Sequence, residues 1–278
     1  MKKHLIALIL VLFTASVLPP LSAAENLRVK KVTMMPGWPT ACKQIKIVLI
    51  SDLHLTTGNI SKPPFTQLPA KINALKPDLL LIGGDIFDAI MRDGLNFIEK
   101  DFLALIAKIN RPPLGILAIC GNHDIYVGRK NVEALLLAAG ITIPPSGTVL
   151  PMTAGGKKIY IGTTEAENAK DVEEQLKKAM TTYSPFLLLA HYPQTFEAVP
   201  QDQHIIVLAG HTHGGVVRLP GVKDGALASL FTGHQEKYFY GFYQENHKVM
   251  YVTSGIGGEG KAGMRVNNPP EIVLLNFQ

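Results

Sequence analysis

Five apolar runs in this chain each end in a cluster of acidic, amide or histidine side chains. In chain order they are Ile45–Ser51 before Asp52 and His54, Leu79–Ile82 before Asp85 and Asp88, Leu114–Cys120 before Asn122 and His123, Phe186–Ala190 before His191, and Ile205–Ala209 before His211 and His213. Such runs predict buried strands, and open α/β sheets gather ligand groups outside the carboxyl ends of their strands. The pattern predicts one α/β site where these side chains meet.

Helical periodicity separates the strands, and further strands follow. We predict helices over Pro69–Leu75, Leu95–Ile109, Asn131–Ala139 and, capped by Asp171, up to Tyr183. Residues 26–43 are predicted to be extended and residues 56–69 to be loop. Further strands are expected over Lys158–Gly162, Val249–Thr253 and Ile272–Phe277, the last two antiparallel. Of 278 residues 47% are hydrophobic, which suffices for one domain over 25–278.

Residues 1–24 have the layout of a secretory signal peptide. Lys2 and Lys3 precede an apolar stretch over Leu5–Leu18, and small residues up to Ala24 suit cleavage. An uncleaved anchor is the alternative. Either predicts an exported protein, periplasmic or otherwise extracytoplasmic, anchored in the inner membrane in the second case. Cys42 and Cys120 are expected at opposite ends of the sheet as free thiols.

The net charge of +5 could suggest an anionic partner. The Lys and Arg residues are scattered, without a basic run interleaved with aromatic residues, so no nucleic-acid partner is indicated. The charge is interpreted as solvated surface with a lean toward anionic substrates. His4, His204, His234 and His247 lack a strand-end context and are interpreted as surface or structural residues.

The strand-end side chains are chemically suited to bind metal. Carboxylates, an amide oxygen and imidazoles suit Mn, Fe or Zn, and we favour Mn. Their number exceeds the need of one ion, whereas two ions sharing a carboxylate would use them and could activate a bridging water for displacement at phosphorus. A folding-only metal site, or unrelated polar residues, is the alternative. Structural sites are typically rich in thiolate, which this set is not.

The motifs Asp-x-His, Gly-Asp-x-x-Asp, Gly-Asn-His-Asp, a lone His and Gly-His-Thr-His, in this order over residues 52–213, resemble the calcineurin-like metallophosphoesterase family. The resemblance implies an α/β fold, a two-sheet αββα sandwich with flanking helices, and a binuclear site with a bridging hydroxide as nucleophile. By motif position the first metal would be held by Asp52, His54 and His213, the second by Asn122, His191 and His211, with Asp85 bridging.

The same resemblance makes His123 the general acid, oriented by Asp88. Related protein phosphatases carry arginines where this chain has Ala89 and Cys120, and purple acid phosphatases carry a metal-binding tyrosine in place of Asp88. Because of these departures, the chain fits neither group. The segments after His213 and around Thr253 and Arg265 are similar to those of the bacterial exported or membrane-associated phosphodiesterase branch of the family. Arg218 and Arg265 are then candidates for contact with substrate phosphate.

The resulting functional hypothesis is a two-metal hydrolase of phosphodiester or pyrophosphate bonds. A phosphomonoesterase and a catalytically silent binding scaffold are the alternatives. The phosphoester substrate is hypothesised to be lipid-linked, with peripheral membrane contact, because Leu227, Leu230, Phe231 and the aromatic residues up to Tyr243 could form a lipid-facing lip. Core and sheet packing is the competing interpretation of that stretch.

Overall fold

The computed structural model describes residues 26–34, 45–154, 156–215, 218, 237–258, 265 and 267–277. The strands are β1 (Arg28–Met34), β2 (Ile47–Ile50), β3 (Leu79–Ile82), β4 (Ile116–Ala118), β5 (Val149–Ala154), β6 (Lys157–Thr164), β7 (Phe186–Ala190), β8 (Ile205–Ala209), β9 (Gly241–Glu245), β10 (Lys248–Val252) and β11 (Glu271–Phe277). The α-helices are α1 (Leu68–Leu75), α2 (Leu95–Ala107), α3 (Asn122–Ala138) and α4 (Ala169–Thr182).

The strands form two mixed sheets. The first has the order β1-β11-β2-β3-β4, in which β2, β3 and β4 are parallel and β11 runs antiparallel to β2. The second has the order β5-β6-β7-β8-β10-β9, with a parallel centre and antiparallel edge strands β5 and β9. Two sheets with flanking helices confirm the predicted fold class.

Alternating side chains on the central strands build the core in three layers. Ile47 and Leu79 of the first sheet share one apolar cluster with Leu187 and Leu208 of the second, so the sheets pack face to face. The outer face of the first sheet is covered by apolar residues of α1, α2 and α3. The outer face of the second is covered by α4. This sandwich holds the strand ends rigidly at one edge.

Strands β5 and β9 were not predicted from the sequence, and β1 was predicted only as part of an extended segment over residues 26–43. Each lies at the edge of its sheet, and the burial patterns of β1 and β9 are mostly exposed or intermediate, so the apolar pattern is weak. Val249–Thr253 and Ile272–Phe277 were expected to be antiparallel. Both β10 and β11 instead have one parallel and one antiparallel neighbour.

Two helix boundaries also differ from prediction. Helix α3 begins at Asn122 rather than Asn131, with a break at Gly128, because the Asp124 carboxylate accepts the Gly121 N–H and caps a first turn that lacks an apolar stripe. Helix α4 is capped by Asn168, whose side chain accepts the N–H of Asp171, so Asp171 is not the cap.

Several sequence predictions concern residues outside those described, namely residues 1–24, His4, Cys42, Leu227, Leu230, Phe231 and His234. Cys120 is buried and free. Of the aromatic stretch, Tyr238 and Phe239 are buried, which favours packing over a lipid-facing lip at these two positions. No helix in the described part of the chain has the length and apolarity needed to cross a bilayer.

Candidate metal centre

Sharp backbone turns at the strand ends aim the polar side chains inward. Five predicted ligands have positive φ angles: 52° for Asp52, 44° for His54, 50° for Asp85, 71° for His211 and 49° for His213. This left-handed conformation is costly for residues other than glycine and concentrates at functional sites. Its repetition at these positions indicates that the fold tolerates a conformational cost in order to place these side chains.

Asp52, His54 and His213 form a first buried cluster whose ligand atoms lie within 4.8 Å of one another. The Nε2 atoms of His54 and His213 are 2.9 Å apart, and His213 Nε2 is 3.9 Å from Asp52 Oδ1. His54 and Asp52 follow β2, whereas His213 follows β8, so the cluster joins the two sheets.

A second cluster contains Asp85, His191 and His211, again within 4.8 Å. His191 Nδ1 donates to the Gly83 carbonyl at 2.9 Å, because a carbonyl can only accept, and this contact turns Nε2 into the site. His191 Nε2 lies 3.1 Å from Asn122 Oδ1 and 3.3 Å from Asp85 Oδ2. The structure thus gathers all the predicted ligands into two adjoining clusters.

The Asp85 carboxylate lies between the clusters. Its Oδ2 is 3.7 Å from His54 Nε2 as well as 3.3 Å from His191 Nε2. Its other oxygen accepts the His123 N–H at 2.9 Å, which fixes the carboxylate plane. A Cβ atom at Gly121 would lie 2.6 Å from Asp85 N, so only glycine allows this close approach.

These residues fit divalent metal ions. Two nitrogens that each lie about 2.1 Å from one ion, with a nitrogen–metal–nitrogen angle of about 90°, are about 3 Å apart. This matches the separation of the Nε2 atoms of His54 and His213. Asp52 Oδ2 is buried and accepts no hydrogen bond of ordinary geometry from the described residues, so it has a lone pair to offer. Carboxylate, amide and imidazole donors are those expected for Mn, Fe or Zn.

The buried charges strongly shift the titration of the site. Burial opposes the charged form of His191, but the adjacent Asp85 carboxylate outweighs it and raises the pKa of His191 to about 9. Burial also raises the pKa of Asp52 and lowers that of His213, in the second case aided by His54 and Arg265. Burial disfavours ionised Asp85 as well, yet His191 holds its carboxyl pKa well below the usual range.

His123 stands beside the clusters with one ring nitrogen fixed. The Ala89 N–H donates to His123 Nδ1 at 3.1 Å, so the neutral ring carries its proton on Nε2. The ring meets that of His54 edge-on with centroids 4.5 Å apart. Burial lowers the pKa of His123. The geometry leaves a proton donor at the margin of the metal-binding groups.

Asp88 lies close to both His54 and His123, and each of the three offers a ligand atom within 4.8 Å of the others. Its Oδ2 lies 3.7 Å from His54 Nδ1 and its Oδ1 accepts the Ile90 N–H at 3.0 Å, so the predicted orientation of His123 by Asp88 stays a prediction. The group that fixes His123 is the Ala89 amide. A backbone donor has no sequence signature, so the motif could reveal the neighbouring carboxylate but not this amide.

The two arginines predicted to contact phosphate also make structural contacts. Arg265 is buried and donates to the Ser254 carbonyl at 2.8 Å and to the Gly257 carbonyl, and its guanidinium lies 3.5 Å from His213 Nδ1. Arg218 lies over the Tyr240 ring, 3.9 Å from its centroid. These contacts hold Arg265 beside His213 and stabilise the Arg218 side chain on an aromatic face. Arg265 also lines one cavity together with His54 and His123, and contact of either arginine with substrate phosphate stays a prediction.

Two further acidic residues organise the site and were not predicted. Asp124 accepts the N–H groups of Ile86, Phe87 and Gly121, so it ties the loop after β3 to the loop after β4. Glu165, at the end of β6, accepts the Cys120 N–H at 2.8 Å and pairs with Arg129. Asp124 was visible within Gly-Asn-His-Asp, whereas Glu165 lies on the other sheet and no local pattern reveals it.

Comparisons with known proteins find phosphoesterases and a shared fold. The chain is 30% identical to the phosphodiesterase YaeI of Escherichia coli over 84% of this chain and 82% of YaeI. It is 26% identical to the UDP-2,3-diacylglucosamine pyrophosphatase LpxG of Chlamydia muridarum, over 83% of each chain. The NAD nucleotidase NadN of Haemophilus influenzae shares the fold, with a TM-score of 0.50 and 19% identity over 76% of this chain and 50% of that one.

Other relatives are longer than this chain. The chain spans about three fifths of the length of metallophosphoesterases from Campylobacter jejuni and Helicobacter pylori that it matches. The family model described as calcineurin-like phosphoesterase matches residues 45–235, which include every predicted metal ligand. The chain belongs to the calcineurin-like phosphoesterase family.

Proposed function

We propose that this protein hydrolyses phosphodiester or pyrophosphate bonds with the aid of two divalent ions. The observation that carries the proposal is the position of Asp85, whose Oδ2 lies 3.7 Å from one histidine cluster and 3.3 Å from the other. One carboxylate within reach of both clusters suits a pair of ions. The proposed ligands are Asp52, His54 and His213 for the first ion and Asn122, His191 and His211 for the second, with Asp85 shared.

Divalent ions, when bound, supply positive charge to phosphoryl oxygens and acidify the attacking water. The protein's own contribution is to hold this constellation and to deliver a proton. His123 Nε2, protonated because Nδ1 accepts from Ala89, is the proposed general acid for the leaving oxygen. Asp85 supports this role, because its carboxylate accepts the His123 backbone N–H and fixes the residue beside the ligands.

The names of the relatives support a diester or pyrophosphate rather than a monoester. YaeI is named a phosphodiesterase and LpxG a pyrophosphatase of a diacylated substrate. Ala89 and Cys120 occupy the positions at which the resemblance would place phosphate-clamping arginines for a monoester dianion, and Cys120 is buried. A phosphomonoesterase and a silent scaffold remain the competing functions.

We further propose Mn as the working metal, export through residues 1–24, and a lipid-linked substrate reached by peripheral membrane contact. The support for export is the basic start and apolar stretch of residues 1–24. Fractionating cells that express the chain with and without these residues tests it: export requires that deletion retains the protein in the cytoplasm, and an unchanged distribution contradicts it.

The activity is tested with metal-stripped protein reloaded with Mn, acting on bis(p-nitrophenyl) phosphate and on p-nitrophenyl phosphate. We expect preference for the diester, lost in His191→Ala and kept in His204→Ala, an exposed histidine outside the clusters. Preference for the monoester would show that the protein is a phosphomonoesterase. Bound Mn without turnover of either compound would assign the scaffold.

A further inference from the structure

A cavity of about 950 Å³ opens directly from the proposed active site. Its floor includes His54, Asp88 and His123, and one wall is formed by the loop of residues 56–65. Another wall is formed by residues of the segment 90–97, between Asp88 and the first turn of α2. The volume lies within the range of ligand-binding cavities, about 300–1,000 Å³.

The wall over residues 90–97 is apolar. Ile90 and Phe97 line it and are 68% and 72% exposed, and Met91 lies behind them. A Cβ atom on Gly94 would lie 3.5 Å from Phe97 Cδ2 and 3.6 Å from Met91 Cε, so these two side chains converge on one spot. Exposed large apolar side chains that lie together and line a cavity beside metal-binding groups indicate a ligand-binding surface.

The wall is placed beside the proposed proton donor. Ile90 follows Ala89, whose N–H fixes the His123 ring, and the Ile90 N–H itself is accepted by Asp88. A phosphate at the metal-binding groups would therefore have one substituent directed past His123 toward Ile90 and Phe97. Such a substituent would lie against apolar side chains in a cavity that is also lined by the loop of residues 56–65.

We propose that Ile90, Met91 and Phe97 form a subsite for an alkyl or acyl chain carried by the phosphate substrate on the His123 side. This inference rests on the proposed function, since it places a phosphate at the metal-binding groups. It locates the apolar specificity of the enzyme in residues 90–97 rather than in the aromatic stretch up to Tyr243. Burial of each methylene on this wall strengthens binding by up to about fourfold.

The subsite is tested with a series of monoalkyl phosphates, from ethyl to octyl, used below their micellar concentrations as inhibitors of diester hydrolysis by the Mn-loaded enzyme. We expect the inhibition constant to fall about two- to fourfold per methylene until the wall is covered. In Phe97→Ser and Ile90→Ser the ratio of the ethyl to the octyl inhibition constant should fall at least tenfold. Phe97→Leu should restore most of it, because the apolar surface is kept.

Leu137→Ser is the matched control, because Leu137 is 60% exposed, lies on α3 and is not among the cavity-lining residues. It should leave the ratio unchanged. An inhibition constant that does not depend on chain length, or a ratio that falls equally in Leu137→Ser and Phe97→Ser, overturns the subsite while the hydrolysis assay still reports the proposed function. If no diester is hydrolysed, calorimetric titration of octyl phosphate against the same variants gives the same comparison separately from the proposed function.

Discussion

At the scale of single residues, the site depends on which nitrogen of each histidine is fixed by the protein. The Gly83 carbonyl accepts a hydrogen bond from His191 Nδ1, whereas the Ala89 N–H donates a hydrogen bond to His123 Nδ1. The two rings therefore present opposite chemistry at Nε2. His191 offers a lone pair once its second proton is lost, and His123 offers a proton. The backbone around the motifs thus separates a ligand from an acid.

Replacing His123 with Ala should slow hydrolysis in proportion to the need for a proton on the leaving group. For a diester with an alkyl leaving group we expect kcat to fall about 10²- to 10⁴-fold, because general acid catalysis typically contributes this much. For a p-nitrophenyl leaving group the loss should be much smaller, since that group departs without a proton. Steady-state kinetics on both substrates measure the difference, and equal losses would contradict a proton-donor role.

Metal binding to the stripped protein should release protons at pH 7. With a pKa of about 9 in the metal-free site, His191 carries a proton on Nε2 that it must lose to become a ligand. Apparent Mn affinity should therefore rise about tenfold per pH unit as the pH approaches 9 from below. Calorimetry in two buffers of different ionisation enthalpy counts the protons. If no protons are released on Mn binding, His191 is already neutral in the metal-free site, and the Asp85 carboxylate does not stabilise its protonated form.

At the scale of elements, the strands that carry motifs were predictable and the edges were not. Five buried strands and their strand-end residues followed from apolar runs and motif spacing. Edge strands such as β1, with a mostly exposed pattern, carry too weak a periodicity to predict. The first turns of α3 were missed because Asp124 and backbone groups, rather than an apolar stripe, stabilise them.

Contacts between elements were the other part that local patterns could not supply. Glu165 on the other sheet accepts the Cys120 N–H, in the loop that leads into Asn122 and His123 at the start of α3. Nothing in the sequence around Glu165 relates it to a loop 45 residues away. The motifs predicted which side chains meet, and the tertiary packing determines which backbone groups hold them in place.

Glu165→Ala should destabilise this loop. It leaves the Cys120 N–H buried without its acceptor, which costs about 1–3 kcal/mol of unfolding free energy, whereas the half-exposed pair with Arg129 adds little. Urea denaturation of the metal-free protein measures the loss. The matched control is Glu133→Ala, which removes the i, i+4 contact with the same arginine and should cost at most about 0.5 kcal/mol. Equal losses in the two variants would show that the hydrogen bond from the Cys120 N–H to Glu165 does not stabilise the fold.

At the scale of the whole molecule, metal binding and folding stability are linked. The two sheets meet at the clusters, since His54 and Asp85 follow strands of one sheet while His191 and His213 follow strands of the other. An ion held by both sheets binds the folded state and not the unfolded chain. Stability should then increase with free metal concentration, by about 2.7 kcal/mol at a hundred times the dissociation constant.

Chelation should lower the thermal midpoint of unfolding. For a chain of this size a loss of 2.7 kcal/mol corresponds to about 5–10 °C, measured by calorimetry with and without EDTA. Asp85→Ala should show a much smaller metal-dependent shift, because it removes the carboxylate between the clusters. An identical shift in this variant would show that the stabilising ion binds elsewhere on the molecule.

The central claim, a pair of ions that together support diester hydrolysis, is tested most directly by titrating Mn into the stripped protein. Bound Mn and the rate of bis(p-nitrophenyl) phosphate hydrolysis are followed in the same samples. The account predicts that the rate reaches its maximum only as the second equivalent binds. A maximum at one equivalent, or the same rate without metal, would contradict it.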